Sequence, residues 1–294
     1  MFIPRSINLI GDDNMKKSMV ILCVIVSMFG FASLANADLM DGLLAYYAFD
    51  GNTNDMSGNG NDAINHGANT TEDRFGNPDS AILLTDNYGP YGGGNYVELS
   101  DIVEGLNSLT ISMWVNEYEI GYQHGESYLM FGVHHLDRVS IHHNRGGVLG
   151  DLGKIDFTIS NTVEREVTLS VDFNEAWQGE FQHYAMVYDG ENGLFQAYLN
   201  GDLIGEQSIS TAPITTTGNN YAGLGIHWFD SGDSNSTRFN GAFDDVFIYD
   251  RALSTTEIKD IYNTANPVPE PMTMLLLVSG LVGLGGFKRK FKKG

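Results

Sequence analysis

Leu109-Thr110-Ile111-Ser112-Met113-Trp114-Val115 alternates apolar residues with small or polar ones. Its apolar positions 109, 111, 113 and 115 fall on one face, the period of two that marks a half-buried β-strand. Similar short runs recur on both sides, parted by Gly, Asn and Asp at intervals of roughly 8–15 residues. Upstream these are Leu43–Phe49 and Asn95–Leu99. Downstream they are Tyr128–His134, Arg138–His143, Lys154–Ile159, Glu166–Asp172, Phe181–Tyr188, Leu194–Leu199, Leu203–Ser208, Ala222–Trp228 and Phe239–Tyr249. Asn200-Gly201 is a two-residue hairpin signal, because both residues tolerate positive φ. A dozen strands without helices between them predict an all-β chain folded as an antiparallel β-sandwich or jelly roll. One short C-terminal helix is expected after Leu253. Ser254-Thr255-Thr256-Glu257 forms a capping box, and Ile258, Ile261 and Tyr262 continue an apolar stripe.

Composition agrees. The chain has 294 residues, 42% of them apolar, with 35 glycines and only 7 prolines. That supports a sizeable core and many turns, and it excludes wholesale disorder. Formal net charge is −21. Between Asp38 and Pro271 there are 8 Lys and Arg against 35 Asp and Glu, so this body carries −27. Such a surface repels phosphate backbones, which excludes nucleic acid as a partner. Crowded carboxylates suit a hard divalent cation instead. Cys23 is the single cysteine, so no disulfide can form within the chain, and cysteine-ligated zinc and a catalytic thiol are excluded with it.

The two ends read as addresses. Met15-Lys16-Lys17, an apolar run to Phe31 and Ala35-Asn36-Ala37 form a secretory signal over residues 1–37, with Met15 the better start and cleavage directed by Ala35 and Ala37. At the other end Val268 precedes Pro269-Glu270-Pro271, then sixteen mostly apolar residues, Met272 to Phe287, then a Lys/Arg cluster. Sixteen residues make roughly 24 Å of helix, enough for a membrane span when the flanking lysines snorkel. Proline-glutamate-proline, a short hydrophobic helix and a basic tail resemble the PEP-CTERM sorting signal, here residues 267–294. The resemblance implies recognition by an exosortase after passage through the secretion machinery, with transient anchoring in the inner membrane. Residues 38–266 would then act at the cell surface or in the extracellular matrix.

Four further segments carry a second resemblance. They are Gly42–Gly51 with Asp55–Asn61; Leu109–Val115; Phe181–Ala185 through Tyr198–Gly201; and Phe239–Ser254. In order and spacing they resemble the concanavalin A-like lectin/glucanase domains of laminin G type, in the bacterial pentraxin-like subgroup. That resemblance implies a jelly roll and a lectin-like, non-catalytic role in binding glycan or exopolysaccharide. Its alternatives are a glycan-active hydrolase or lyase of the same fold, or a purely structural matrix protein. Related domains bind Ca²⁺ through the first loop and an acidic residue near the last strand. Carried onto this chain, the ligands would be Asp50, Asn52 and Asn59 with Asp244 or Asp245. The competing reading of the loop is Asx-turn chemistry, in which Asn and Asp bond their own backbone.

Other features point to chemistry less directly. Tyr91, Tyr122 and Trp228 lie in or beside Gly-rich loops, where aromatic faces can stack on sugar rings. His134-His135 and His142-His143 are expected to flank a hairpin turn at Leu136-Asp137. They read as solvated hairpin histidines rather than a metal site, and His183 as a structural histidine. Glu117 and Glu119 have the i, i+2 spacing that retaining glucanases use, but they are expected to follow the strand rather than lie on it. No other pattern of catalytic residues stands out, so no catalytic residue is assigned.

Overall fold

The computed structural model describes residues 39–85, 95–118, 126–133, 136–144, 152–216, 222–225 and 239–264. Gly42–Thr264 is one compact unit, and the two chain ends are assigned apart from it. The expected signal peptide, the Pro-Glu-Pro motif and the membrane span of residues 272–287 lie outside the described residues. Among those, no helix is long and apolar enough to cross a membrane.

Among the described residues fifteen strands make two antiparallel sheets. Sheet A runs in the order β13 (Asp202–Ser208), β12 (Leu194–Leu199), β11 (Gln182–Asp189), β6 (Ser108–Glu117), β15 (Gly241–Tyr249), β4 (Ala81–Leu84) and β3 (Asn69–Thr71). Sheet B runs in the order β10 (Val167–Asp172), β9 (Lys154–Ile159), β8 (Arg138–Asn144), β7 (Glu126–Gly132), β14 (Ala222–Leu224), β5 (Tyr96–Glu98) and β2 (Ile64–His66). β1 (Leu43–Tyr47) pairs with β15 beyond the stretch that β4 occupies, so β1 and β4 share one edge of that strand. This is the expected β-sandwich. The alternation in β6 puts Leu109, Ile111, Met113 and Val115 into the core between the sheets, against Phe131, Ile141, Phe157, Met186 and Phe243.

Trp114, on the opposite face of β6, is covered by helix α1 (Thr255–Asn263), whose Tyr262 stacks on it at 5.4 Å. The capping box forms as read, with Ser254 accepting from the Glu257 N–H and Glu257 reaching back to the Ser254 N–H. Ile258 and Ile261 are the buried pair of its stripe. The hairpin at Asn200-Gly201 also forms, with φ of 51° and 78° and Leu199 facing Asp202.

Boundaries shift where the backbone turns left-handed. The first strand stops at Tyr47 instead of Phe49, whose φ is 58°, and β10 starts at Val167 because Glu166 has φ 49°. β14 ends at Leu224 rather than Trp228. β2, β3 and β4 went unread, because three- and four-residue strands lack a full period. Two expectations about the histidines and Glu117 are corrected. His142 and His143 pair with Ser127 and Glu126, at the end of the β7–β8 hairpin remote from its turn. Glu117 lies on β6, on the same face as Val115.

Candidate functional site

Two of the sequence-assigned ligands, Asp244 and Asp245, lie at a discontinuity in sheet A. β4 pairs with β15 through Phe243 and β1 pairs with it from Val246, so Asp244 and Asp245 sit where the neighbouring strand changes. A register shift lies here, and Asp245 has φ 45°. Arg74, from the turn before β4, fills the break. One of its amino groups pairs with Asp244 and the other lies 2.6 Å from Asp245 Oδ2. The Tyr46 hydroxyl donates to Asp245 Oδ1 at 2.5 Å. The guanidinium also lies over Trp114, 4.8 Å from the ring centroid.

Burial, followed by the charge of Asp245, pushes the Asp244 carboxyl up to about 7. Burial likewise raises Asp245, against the opposing pull of Arg74, and the Asp50 charge adds to the rise. Arg74 is held above its usual value. Burial works against its charge, and the two aspartates outweigh that. His183, behind Trp114, is driven down to about 3 by complete burial and then by Arg74, so it stays neutral, bonded to Ser112 Oγ at 2.7 Å.

The first loop is organised by a residue outside the assigned set. Asp55 accepts from the Tyr46, Ser57 and Asn61 N–H groups and from Ser57 Oγ. Burial works to raise its carboxyl, and these four bonds outweigh it and lower it. Asn52 accepts from the Asn54 N–H, while Asn59 donates to the carbonyls of Leu43 and Leu44. The fit to a shared calcium is therefore poor. The carboxylates of Asp244 and Asp245 already hold an arginine and a tyrosine, Asn52 is bonded to loop backbone, and Asn59 is bonded to β1. Among the described residues no three His, Cys, Asp or Glu side chains gather into a metal cluster. The cation between the last strand's aspartates is Arg74, and the loop follows the Asx-turn reading.

A second polar cluster lies inside the sandwich at one rim. Glu117, 3% exposed, accepts from the Tyr128 hydroxyl at 2.6 Å. Both its oxygens lie 3.0 Å from His143 Nδ1. His143 Nε2 is 2.6 Å from the Leu152 carbonyl, which can only accept, so Nε2 carries a proton. One further proton is then shared between Nδ1 and Glu117. The pair is neutral overall in either form, which suits its burial. Phe173 stacks on His143 at 4.2 Å, and Trp177 packs edge-on against Phe173. Burial, then the Glu117 charge, raises the neighbouring Tyr184 phenol. Nothing in the sequence pattern marked this cluster except the i, i+2 carboxylate spacing. Its Glu117 is buried, and Glu119 lies outside the described residues.

Four long connections begin and end at this rim. Gly241 pairs with both Leu84 and Glu117, which brings Thr85, Asn240 and Tyr118 to one end of sheet A. The Tyr118 N–H donates to the Asn240 carbonyl. Across the sandwich the Asn95 side chain bonds Thr85, and the Gly225 N–H donates to the Tyr128 carbonyl. A Cβ on Gly225 would stand 2.2 Å from Leu84, so only glycine lets the sheets close there. The connections 86–94, 119–125, 145–151 and 226–238 therefore spring from neighbouring anchors. Tyr91, Tyr122 and Trp228 belong to three of them and themselves lie outside the described residues. Tyr118, 38% exposed, is the described aromatic at this rim, and the sequence reading passed over it.

Two antiparallel sheets packed face to face in this order define a lectin-type β-sandwich fold. The comparisons agree. The model of the concanavalin A-like lectin/glucanases superfamily matches residues 91–259, and the chain belongs to that family. No curated protein sequence matches the chain. Among solved structures it is similar to the binding domain of Paraclostridial Mosquitocidal Protein 1, with a TM-score of 0.56 at 16% identity over 76% of this chain and 52% of that one. It is similar to the botulinum neurotoxin serotype D ligand binding domain in complex with N-acetylneuraminic acid, at 0.57 and 14% over 78% and 52%. A third is the binding domain of botulinum neurotoxin DC in complex with rat synaptotagmin II, at 0.54 and 16% over 76% and 52%. The chain spans about half the length of these structures, and the likeness is one of fold.

Proposed function

We propose that this protein is a non-catalytic glycan-binding module that associates with extracellular polysaccharide through the rim above Glu117 and His143. The observation that supports it is the gathering of anchors. Tyr91, Tyr122 and Trp228 are spread over more than a hundred residues of sequence, yet their connections all start within one rim, beside exposed Tyr118. Aromatic faces that converge from several loops on a rigid scaffold are what sugar stacking needs. The polar cluster beneath braces the anchors. Binding domains among the fold's solved relatives, one of them holding a sialic acid, are compatible with the reading.

Export fits the same role. The N-terminal signal with Ala35 and Ala37, and Pro269-Glu270-Pro271 with its hydrophobic segment and basic tail, route the domain outward by way of an exosortase. Mass spectrometry of the native protein tests this: the account expects the secreted pool to lack residues 1–37 and peptides from Lys288–Gly294, and recovery of either in the main species contradicts it. For binding, a glycan array run beside an activity screen is the test. Retention of polysaccharide without bond cleavage supports the module, and turnover at an ordinary enzymatic rate overturns it in favour of a glycan-active enzyme.

A further inference from the structure

We propose that the opposite rim carries a second sugar site, a preformed polar pocket that takes the hydroxyl groups of a neutral sugar. β6 has ten residues, which sets the two rims about 30 Å apart at ~3.4 Å per residue. The pocket, 510 Å³ in volume, lies where β6 begins, between the loop ahead of it, the β11–β12 turn and the corner after β15. That volume falls within the range of about 300–1,000 Å³ typical of ligand sites.

Each wall is fixed without a ligand. The loop is pinned by the Gly105 N–H donating to the Ile214 carbonyl and the Ile214 N–H donating to the Leu106 carbonyl. The turn rests directly on the loop. A Cβ on Gly190 would come within 1.8 Å of the Asn107 carbonyl oxygen, and the Gly190 N–H donates to Ser108 Oγ. At the corner the Arg251 carbonyl accepts from Thr110 Oγ1, which in turn accepts from the Leu253 N–H. The Arg251 guanidinium is held by Glu257 at 2.7 Å. Backbone walls formed in advance spare part of the ordering cost of binding, while Asn107, Glu191 and Asp250 present exposed side chains to a ligand.

Its chemistry selects the ligand. Asp189, Glu191 and Asp250 face the space against one guanidinium, which Glu257 already engages. Asp189 accepts from Asn192 through both oxygens. The side chains of Glu191, Asp250 and Asn107 have no partner among the described residues. An acceptor-rich wall of negative charge repels uronates and sialic acids. It suits sugar hydroxyls, which donate to Glu191 and Asp250 and accept from the Asn107 amide. No aromatic side chain lines the pocket, so recognition here goes through hydroxyl groups rather than through stacking. The pocket does not depend on the loop-bearing rim. If both bind, the domain holds two sugar chains at opposite ends and cross-links polysaccharide.

Isothermal titration of the full chain with gluco-, manno- and galacto-tetraose, and with tetragalacturonate, tests this. The pocket predicts that at least one neutral probe binds, and that Glu191→Gln with Asp250→Asn weakens it tenfold or more without changing Tm. Tetragalacturonate is expected not to bind the pocket. Failure of every neutral probe to bind overturns the proposal, as does unchanged affinity in the double variant. Tyr118→Ala separates the two rims. Loss of neutral-sugar binding in that variant alone overturns the pocket and leaves the loop-bearing rim standing. Loss in the double variant alone supports the pocket and counts against the rim.

Discussion

The break in sheet A and the loop-bearing rim both bury charge, yet the two clusters are built differently. At the break, three ionisable groups and a phenol are closed over by short segments and a helix, and Arg74 supplies the countercharge from within the chain. At the rim, Glu117 and His143 settle one shared proton between themselves, and what they hold in place are the anchors of four long connections. The contrast shows that perturbed, buried charge is not by itself a mark of function. The break gathers strongly shifted groups, Asp244, Asp245, Arg74 and Tyr46, and reads as framework. The rim's cluster supports something else.

Removing Arg74 should have the largest effect. Arg74→Ala leaves Asp244 and Asp245 uncompensated, and breaking a buried pair in this way costs about 3–5 kcal/mol. Denaturant unfolding checks it. A cost below 1 kcal/mol would show that the aspartates find other partners. Glu117→Ala should come next, at about 1–3 kcal/mol. The methyl group leaves the buried Tyr128 hydroxyl and His143 Nδ1 without their shared partner. Here glycan binding should weaken along with stability, whereas Arg74→Lys, which keeps the charge, should spare binding.

The pH response sharpens the comparison further. Asp244, raised to about 7 when folded, contributes stability that is present below about pH 4 and lost as pH rises through 7. His183, lowered to about 3, has the opposite sign. Its contribution is present above the unfolded value of about 6.5 and lost as pH falls towards 3. Between pH 4 and 6.5 the two oppose each other, each with a slope of at most about 1.4 kcal/mol per pH unit. Relative to wild type, Asp244→Asn should therefore tilt Tm upward with rising pH across that window, and His183→Gln should tilt it downward. Parallel curves for all three proteins would refute this pairing. The smallest effect expected is that of calcium. With Arg74 and Asp55 doing the holding, Tm with calcium and with a chelator should agree within about 1 °C, and a rise of several degrees would restore Asp50, Asn52 and Asn59 as ligands.

Much of this architecture was legible in the residues. The alternation of Leu109–Val115, the Asn200-Gly201 turn and the Ser254–Glu257 box each encode a local structure whose cause lies within a few positions. The short strands β2, β3 and β4 were not legible, because pairing partners rather than their own pattern define them. The site was legible only in outline. Asp244 and Asp245 stand out in the sequence as candidate calcium ligands, whereas the partner the structure gives them, Arg74, lies 170 residues from Asp244 and is set by the strand change in sheet A, which no local pattern announces. Glu117 was noticed for its spacing to Glu119, while its bonds to Tyr128 and His143 arise from the facing of two sheets.

Polysaccharide binding by a rim variant tests the central claim most directly. Tyr118→Ala, Tyr122→Ala and Trp228→Ala combined remove one aromatic side chain beside the rim and two from its connections, and leave Glu117 and His143 in the sequence. Affinity for the native extracellular polysaccharide, measured in equilibrium against wild type at matched Tm, should drop by tenfold or more. Affinity unchanged in the folded triple variant would contradict the account.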